Sequence, residues 1–414
     1  MDYGYIREIE IKKVRHLSGI RIPVLPEGEE RFRHIVLTGK NGSGKTSVLD
    51  ALSTYLESAL TSERLETYRQ AERVHGGEIT RATGEYLEKE KQRHREAKAI
   101  VDKLEGGLHI SFSGSESTMR RAYAEGDFVL AYFKTERVFK VDISKHVEKV
   151  TLKQKYGLEE NPRKEFVKYL VDKKVSEALY RTKGQTAKAD ALNEWFLGLE
   201  NLMREICSDP KLVLDFNIDR FEFRILEDGR EPFDFNSMSS GYAAILDIVV
   251  GIIMRMEAHG NGSFSFTMPG IVLIDELETH LHYELQKRIL PFLTTVFPNI
   301  QFIVSTHSAF ILSSIENAVI YDLETRTLVE NGLSALPYDG IIEGYFNVSK
   351  LSNSLRQKFA RYKALVGKAE LSAQEAAELK RLEFYLDEIP DYLALDFATE
   401  YQQIKLDHDN REGV

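Results

Sequence analysis

The chain has 414 residues and a formal net charge of −10, with 43% apolar and 29% charged residues, a composition that excludes a disordered or collagen-like chain. No run approaches the roughly 18 apolar residues of a membrane span, and residues 1–10 carry charges where a signal peptide needs an apolar core, so we expect neither. The single cysteine, Cys207, favours a reducing cytoplasm, and the acidic balance leaves nucleic-acid binding only to a local basic patch.

The first elements that the sequence predicts are three strands. Ile9 and Ile11, and then Ile20 and Ile22, recur at period two, which is typical of half-buried strands. Residues 34–37, HIVL, form a short apolar run that indicates a strand buried on both faces. A glycine-rich segment follows this run directly, and a helical pattern begins after it.

The next feature is a long stretch of helix-forming residues with one interruption. Residues 46–74 contain neither proline nor glycine, the pair Gly76 and Gly77 breaks the run, and helix formers resume over residues 78–105. We predict a helical hairpin whose arms of about 27 residues reach about 40 Å. Charges of both signs dominate beyond Leu65. They favour a solvated pair of helices with intrahelical ion pairs, and the alternative is a short coiled coil that contacts a partner.

Further strands and a helical lobe follow the hairpin. Alternation over residues 108–112 and a continuous apolar run over residues 129–133 predict two strands. The charged residues 144–207 are predicted to form a helical lobe with a core of its own. The alternating runs 221–225 and 233–235 predict a β-hairpin.

The tail of the chain, from about Asn347, is predicted to be helical. Ser372 and Glu375 match a capping box, in which the serine caps a helix and the glutamate reaches back. An apolar stripe at helical spacing follows and is either core, packed on the preceding domain, or a docking surface. The stripe consists of Leu379, Leu382, Leu386 and Ile389.

Residues 39–46, GKNGSGKT, match a phosphate-binding loop in full, between a predicted strand and a predicted helix. The glycines let backbone N–H groups turn toward phosphates, and the helix N-terminus adds a partial positive charge. We predict that Lys45 reaches the β- and γ-phosphates of ATP, acting in catalysis as well, and that the Thr46 hydroxyl binds Mg²⁺. The residues predicted to contact the nucleotide here are Gly39, Asn41, Gly42, Ser43, Gly44, Lys45, Thr46 and Ser47.

Two later strands end in polar residues that would complete such a site. Residues 271–276, IVLIDE, place two carboxylates after four apolar residues. We predict that Asp275 holds Mg²⁺ and that Glu276 orients and deprotonates the attacking water. Residues 302–307, FIVSTH, end in His307, which is predicted to contact the γ-phosphate; a structural histidine is the alternative.

Residues 236–241, NSMSSG, precede an apolar helix and suggest a second anion site at its N-terminus. Since the chain already has a complete phosphate loop, we predict that Ser239, Ser240 and Gly241 contact the nucleotide of a neighbouring subunit. The alternative is a plain helix cap by Ser239 or Ser240.

The order of these motifs resembles that of ABC-type ATPases, and the helical insertion after the phosphate loop resembles the SMC, Rad50, RecF and OLD branch. Residues 238–242, MSSGY, and 275–282, DELETHLH, are similar to AAA-family ATPase subunits of prokaryotic antiphage systems such as PARIS, Septu and retron-linked systems. The resemblance implies ATP and Mg²⁺ as ligands and a homodimer or higher oligomer with ATP between subunits. No metal-nuclease pattern is visible after the core, so it also implies a separate effector, such as a nuclease.

Three features depart from the family pattern. Ser240 stands where glycine is common, and Tyr242 stands where glutamine or glutamate is common. The segment 132–137, YFKTER, lacks the glutamine that normally faces Mg²⁺, so this role falls to Glu136 or Arg137, or lapses. The pair His280 and His282 follows the Asp-Glu strand in a loop that lies at the dimer interface in the families it resembles, which implies interface contact; a metal site is the alternative.

The predicted fold is α/β: an ABC-type P-loop ATPase core with an N-terminal β-subdomain, a short helical-hairpin (coiled-coil) insertion, a helical lobe and a helical C-terminal tail. The expected function is ATP hydrolysis at a subunit interface that gates an effector in antiphage defence. A RecF- or Rad50-like clamp that binds DNA structurally is the main alternative, and a transporter ATPase ranks last. The predicted boundaries are 1–56 and 107–144 for the first parts of the core, 57–106 for the hairpin, 145–213 for the lobe, 214–346 for the rest of the core and 347–414 for the tail.

Overall fold

The computed structural model describes residues 4–25, 31–142, 147–259, 264–334, 340–341, 353–368, 371–387 and 399–406. The chain divides into two compact units, Met1–Ala335 (unit 1) and Leu336–Val414 (unit 2). The predicted boundaries at 144/145 and 346/347 lie outside the described residues. Within the described ranges, no helix combines the length and the apolar composition that crossing a bilayer requires.

The secondary structure of unit 1 follows the chain as strands and helices in alternation. Its strands are β1 (Ile6–Val14), β2 (Leu17–Pro23), β3 (His34–Thr38), β4 (Leu108–Phe112), β5 (Val129–Phe133), β6 (Val213–Asn217), β7 (Glu222–Leu226), β8 (Gly270–Ile274), β9 (Ile300–Ser305), β10 (Ala318–Asp322) and β11 (Thr327–Val329). Its helices are α1 (Lys45–Leu60), α2 (Arg64–Ile79), α3 (Gly84–Glu105), α4 (Glu116–Glu125), α5 (Phe166–Thr182), α6 (Thr186–Cys207), α7 (Ser240–Glu257), α8 (Tyr283–Val296) and α9 (Ala309–Leu312).

The largest sheet of unit 1 has the strand order β11-β10-β3-β9-β8-β5. Its strands pair in parallel from β10 to β5, and β11 runs antiparallel at one edge. The five parallel strands are buried along their whole length, which explains why their sequences are continuous apolar runs and not alternating ones. The observed fold is therefore α/β with a mostly parallel sheet.

A second, antiparallel sheet has the order β2-β1-β4 and packs into the same core. Helix α1 buries Leu49, Leu52 and Leu56 completely in this core. Burying a leucine side chain stabilises the fold by about 1.5–3 kcal/mol. The helix that follows the glycine-rich loop is thus fixed by one apolar face.

The predicted hairpin exists, but its first arm is not continuous with α1. Helix α1 ends at Leu60, and α2 begins only at Arg64. The Thr61 N–H donates to the Glu57 carbonyl at 3.1 Å at the end of α1, and the Thr61 hydroxyl donates to the same carbonyl. The expectation of one helix over residues 46–74 is wrong, because residues 61–63 separate two helices.

The second difference is the position of the hairpin turn. Gly76 and Gly77 lie inside α2, and the turn comes at residues 80–83. A Cβ atom on Gly76 would lie 3.3 Å from the His94 ring, so the glycine allows close approach of the two arms. At 1.5 Å per residue, the 16 residues of α2 and the 22 of α3 span about 24 Å and about 33 Å, less than expected.

The helical lobe and its β-hairpin also differ from the prediction. Residues 147–161 are not helical, and a helical turn begins only at Pro162, capped by the Asn161 side chain. Strand β7 pairs with β6, whereas Phe233 makes only an isolated bridge to Ile225. Phe235 is buried outside the two-stranded sheet.

Unit 2 contains the helices α10 (Asn353–Val366) and α11 (Ala373–Asp387) and a helical segment at residues 399–406. The capping box is present: the Glu375 N–H donates to Ser372 Oγ at 3.3 Å, and the Ser372 N–H donates to the Glu375 carboxylate at 3.1 Å. Leu379 and Leu386 belong to a buried cluster made of unit 2 residues, with Leu382 partly buried against it, so this part of the stripe is core. Ile389 lies outside the described residues.

Candidate nucleotide-binding site

The candidate site lies at the carboxyl ends of four neighbouring strands. In the order β3-β9-β8-β5, the segments that follow these strands are the phosphate loop, Thr306-His307, Asp275-Glu276 and residues 134–137. Because all four strands are parallel, their carboxyl ends meet at one edge of the sheet, which is where ligands bind in open α/β sheets. The strand order therefore brings together four segments that are far apart in sequence.

The phosphate loop has the backbone conformation that its glycines permit. Gly39, Gly42 and Gly44 have φ angles of 130°, 83° and 101°, in the region that side chains disfavour. A Cβ atom on Gly39 would lie 2.8 Å from Ser43 Oγ. Asn41 belongs to the same turn, and Ser47 is one of the first helical residues of α1.

The side chain of Lys45 is buried inside the phosphate loop. It is 5% exposed, and its Nζ donates to the carbonyls of Gly39 at 2.9 Å and Lys40 at 3.3 Å. Burial lowers its pKa, and the nearby carboxylates of Glu276 and Glu278 act in the opposite direction. The loop carbonyls are therefore structural partners of this ammonium group, which the motif alone does not predict. Phosphate oxygens would take their place when the loop is filled.

Asp275 receives hydrogen bonds from three hydroxyl groups. Thr46 and Thr135 donate to its Oδ2 at 2.9 Å and 3.0 Å, and Ser305 donates to its Oδ1 at 2.5 Å. Asp275 is 2% exposed. Hydroxyl and carboxylate oxygens are the ligands that Mg²⁺ prefers, so the pair Thr46 and Asp275 fits this ion.

Glu276 adopts a strained backbone conformation beside Asp275. Its φ angle is +47°, which is uncommon for a residue with a side chain. Its N–H donates to Ser305 Oγ at 2.7 Å, and its carbonyl accepts from the Thr279 N–H at 2.9 Å and from Arg137 Nη2. These bonds fix the turn that carries the half-buried carboxylate.

His307 lies opposite this turn. Its N–H donates to Glu278 Oε1, and its Nε2 is buried without a hydrogen-bond partner in the part of the chain that the structure describes. Burial lowers its pKa, with a further contribution from Lys45, so the ring is neutral at pH 7. A neutral imidazole can either donate to or accept from a ligand oxygen.

Residues 135–137, in the segment that lacks the expected glutamine, have side chains in three different environments. Thr135 reaches Asp275, Glu136 is exposed, and Arg137 is buried against the backbone of Glu276. Of the two residues that the sequence suggested here, Arg137 is therefore the one inside the site. Sequence reasoning missed Thr135, and it also missed Glu278, which binds the backbone of His307.

Ser239 and Ser240 are exposed at the N-terminus of α7, and no side chain caps this helix. Gly241 packs against the carbonyl of His280, where a Cβ atom would approach to 3.1 Å. Within the described ranges, no hydrogen bond or ion pair links residues 239–241 to the phosphate loop of the same chain. The observed helix start is open, without the side-chain hydrogen bond of a plain serine cap.

The loop after the Asp-Glu strand points outward. His280 and His282 are both exposed, and the His282 ring lies 4.2 Å from the ring of Tyr283. In the part of the chain that the structure describes, no three His, Cys, Asp or Glu side chains are grouped to hold a metal ion. Cys207 is buried, and burial raises the pKa of its thiol to about 12, so it is not a reactive nucleophile.

Partnerless polar atoms are concentrated at this edge of the sheet. Seven buried side-chain N or O atoms lack a hydrogen-bond partner among the described residues, and five of them belong to Ser43, Arg137, Glu278 and His307. Such atoms are rare in folded proteins because each costs free energy. Their concentration on the loops that follow the four strands is the arrangement expected of a polar ligand site.

Comparison with known proteins gives the following matches. Residues 198–313 match a family model described as "AAA domain, putative AbiEii toxin, Type IV TA system". The chain is 30% identical over 147 residues to the retron Ec83 probable ATPase of Escherichia coli, covering 34% of this chain and 27% of that protein. It is 30% identical over 154 residues to the Septu protein PtuA of Bacillus mycoides (strain KBAB4), covering 35% of this chain and 21% of that protein.

Among solved structures, an SMC head bound to the C-winged helix domain of ScpA is similar at 14% identity and a TM-score of 0.40, covering 80% of this chain and 98% of that chain. The chain spans about a quarter of the length of the retron and Septu relatives. The resemblance to these two groups that the motifs predicted is confirmed.

Proposed function

We propose that the protein is an ATPase that binds MgATP at the edge formed by β3, β9, β8 and β5. The observation that carries this proposal is the 2.9 Å contact between Thr46 of the phosphate loop and Asp275 after β8. It joins two residues 229 positions apart that a bound Mg²⁺ would require together. The name of the retron Ec83 relative, a probable ATPase, supports the same activity.

The side chains at this edge divide the work by their chemistry. The loop N–H groups and Lys45 bind the phosphates, and Thr46 and Asp275 would hold Mg²⁺, which neutralises charge on the phosphates when bound. Glu276 orients the attacking water and accepts its proton. His307, neutral at pH 7, contacts the γ-phosphate through its free Nε2.

We further propose that Ser239, Ser240 and Gly241 act on the nucleotide of a second copy of the chain. The support is the uncapped N-terminus of α7, an 18-residue helix whose N–H groups are open to an anion, and the absence of a link to the chain's own phosphate loop in the described part. In this arrangement residues 57–106 are an insertion in an ABC-type core, and residues 145–213 are its helical lobe.

The similarity to retron and Septu proteins supports a place in an antiphage system. We propose that ATP binding and hydrolysis gate a separate effector protein, such as a nuclease. Such coupling requires that the effector bind the ATP-bound assembly and the ATP-free assembly with different affinities.

The test of this proposal is Glu276→Gln, alone and combined with Ser240→Arg. Glutamine can orient water but cannot accept its proton, so hydrolysis should fall about 10²–10⁴-fold while ATP still binds. Unhydrolysed ATP should then hold two copies together, which chemical cross-linking with and without ATP measures. Ser240→Arg should abolish the ATP-dependent cross-link because it blocks the helix N-terminus.

Ser62→Arg, at an exposed serine in the break between α1 and α2, is the matched control and should leave the cross-link intact. Equal cross-linking with and without Ser240→Arg would show that the Ser-Ser-Gly segment does not act across the interface. Unchanged hydrolysis by Glu276→Gln would contradict the assignment of the base.

A further inference from the structure

Arg137 is a buried arginine that is only partly hydrogen-bonded. It is 3% exposed, and its Nη2 donates to the main-chain carbonyl of Glu276. Its Nε and Nη1 are buried and have no hydrogen-bond partner among the described residues. Burial lowers the pKa of the guanidinium, and the carboxylates of Asp247 and Glu278 act in the opposite direction.

The position is costly, because buried N–H groups without acceptors destabilise a fold. In the described part of the chain, Arg137 forms no ion pair with the nearby carboxylates, although Glu278 Oε2 is itself buried without a hydrogen-bond partner. Asp247 is instead paired with Arg163 and Asn161, and both oxygens of Asp275 accept hydrogen bonds from hydroxyl groups. Arg137 is therefore not a conventional structural ion pair.

What Arg137 does contact is the strained turn at Glu276. The carbonyl of Glu276 has one acceptor bond from within its own turn, from Thr279, and one from outside it, from Arg137. The φ angle of +47° persists only where neighbouring groups hold it. The peptide plane that Arg137 holds also sets the direction in which the Glu276 side chain leaves the backbone.

We propose that Arg137 is a positioning residue: it fixes the backbone turn of Glu276 so that the carboxylate faces the terminal phosphate. This inference rests on the proposed ATPase function, in which Glu276 is the base. Packing alone does not explain why a partly hydrogen-bonded guanidinium is buried here, and the positioning role does. Active sites commonly retain residues that lower the stability of the fold, and here the buried arginine orders the catalytic turn.

The first test compares Arg137→Met with Arg224→Met in the full chain. Arg224 lies on β7, and its Nε is also buried without a partner among the described residues, while its Nη2 pairs with Asp215, so it serves as an arginine control outside the site. Arg137→Met should lower kcat about 10²-fold with ATP affinity unchanged, since a small misplacement of a catalytic group costs this much. Its Tm should be unchanged or higher, because an apolar side chain replaces a buried, partly unpaired charge. Arg224→Met should leave kcat unchanged.

A second variant, Arg137→Lys, retains the buried charge but loses the planar fork, and it should show the same loss of kcat. The double variant Arg137→Met with Glu276→Gln should hydrolyse ATP no more slowly than Glu276→Gln alone, because one residue acts through the other. The proposal would be overturned if the two losses of kcat multiplied in the double variant. It would also be overturned if Arg137→Met lowered ATP affinity as much as kcat, or if it lowered the Tm.

Hydrogen exchange in the nucleotide-free protein gives a readout that does not depend on hydrolysis. The N–H of Thr279, which donates to the carbonyl that Arg137 holds, should exchange faster in Arg137→Met than in the unsubstituted protein. Unchanged exchange at residues 276–279 would overturn the positioning role even if kcat falls. If the unsubstituted protein hydrolyses no ATP, the proposed function fails, and if Glu276→Gln hydrolyses ATP at the normal rate, the assignment of the base fails. In either case the exchange result still decides whether Arg137 holds the turn.

Discussion

At the scale of single residues, His34 shows how one buried side chain ties stability to pH. It is 5% exposed, and its Nδ1 accepts a hydrogen bond from the N–H of Phe302 at 3.1 Å, which joins β3 to β9. Burial, with a smaller contribution from Arg31, lowers its pKa from 6.5 to about 4. The ring is therefore neutral in the fold over a range in which the unfolded chain binds a proton.

This difference predicts a loss of stability on acidification. Because the unfolded chain protonates His34 below pH 6.5 and the folded chain only near pH 4, the free energy of unfolding should fall by about 3 kcal/mol across that interval. His34→Gln lacks the titrating group, so its Tm deficit relative to the unsubstituted protein should shrink between pH 7 and pH 4.5. A deficit that stays constant with pH would mean that His34 does not titrate in this way.

The sequence located the residues of the candidate site that lie in contiguous motifs, and it missed those that depend on which strands are neighbours. Thr135 faces Asp275 because β5 pairs with β8, and no local sequence pattern predicts that pairing. Glu278 likewise meets the backbone of His307 because β8 pairs with β9. Apolar runs predict buried strands but not their order in a sheet.

At the scale of elements, the base of the helical hairpin is held by a buried polar cluster made of Arg69, Tyr55, Glu105 and Glu116. Arg69 of α2 donates to the Tyr55 hydroxyl of α1 at 2.6 Å and to both carboxylates. The side chain of Glu105 is 5% exposed, and that of Arg69 is 16% exposed. This cluster joins the phosphate-loop helix to both arms of the hairpin.

Removing the arginine should loosen that base. Arg69→Met removes the cation that Glu105 and Glu116 share, although Lys12 still pairs with Glu105 at 2.8 Å. Breaking a buried ion pair costs about 3 kcal/mol, and we expect a cost of this order, mainly from Glu116. Arg73→Met, one turn along α2, removes an exposed pair with Glu66 and should cost less than about 1 kcal/mol. Urea unfolding of the two variants measures the difference, and equal costs would show that the cluster does not stabilise the fold.

The ends of these helices could not be read from composition alone. Gly76 lies inside α2, where close packing against α3 offsets the weak helix propensity of glycine, and Gly77 follows it in the same helix. The break after Leu60 has no signal in the composition, because residues 61–63 contain neither glycine nor proline. The capping box at Ser372 was predictable because its two residues act locally.

At the scale of the whole molecule, the two units each have a core of their own. Every residue of the candidate site lies within unit 1, and the buried cluster that contains Tyr362, Leu379 and Tyr401 lies within unit 2. A chain that ends after Ala335 should therefore fold and bind ATP with the affinity of the full chain, as calorimetric titration would measure.

The same truncation tests the role of the tail. If the tail is a docking element for a partner or for neighbouring subunits, the shortened chain should lose assembly in size-exclusion chromatography while it keeps ATP binding. An insoluble or unfolded product would show that unit 1 depends on unit 2 for its stability, contrary to the division of the cores.

The rigid joint between α1 and the hairpin has a mechanical consequence. Gly106 approaches the carbonyl of Ala51 so closely that a Cβ atom there would lie 3.2 Å from it, and α3 extends 22 residues away from this pivot. If α1 and α3 move as one body, a tilt of only about 5° in α1 would displace the far end of α3, about 33 Å away, by about 3 Å. A slight motion of the helix that follows the phosphate loop would thus be amplified into a displacement as large as a hydrogen-bond length at the distant tip.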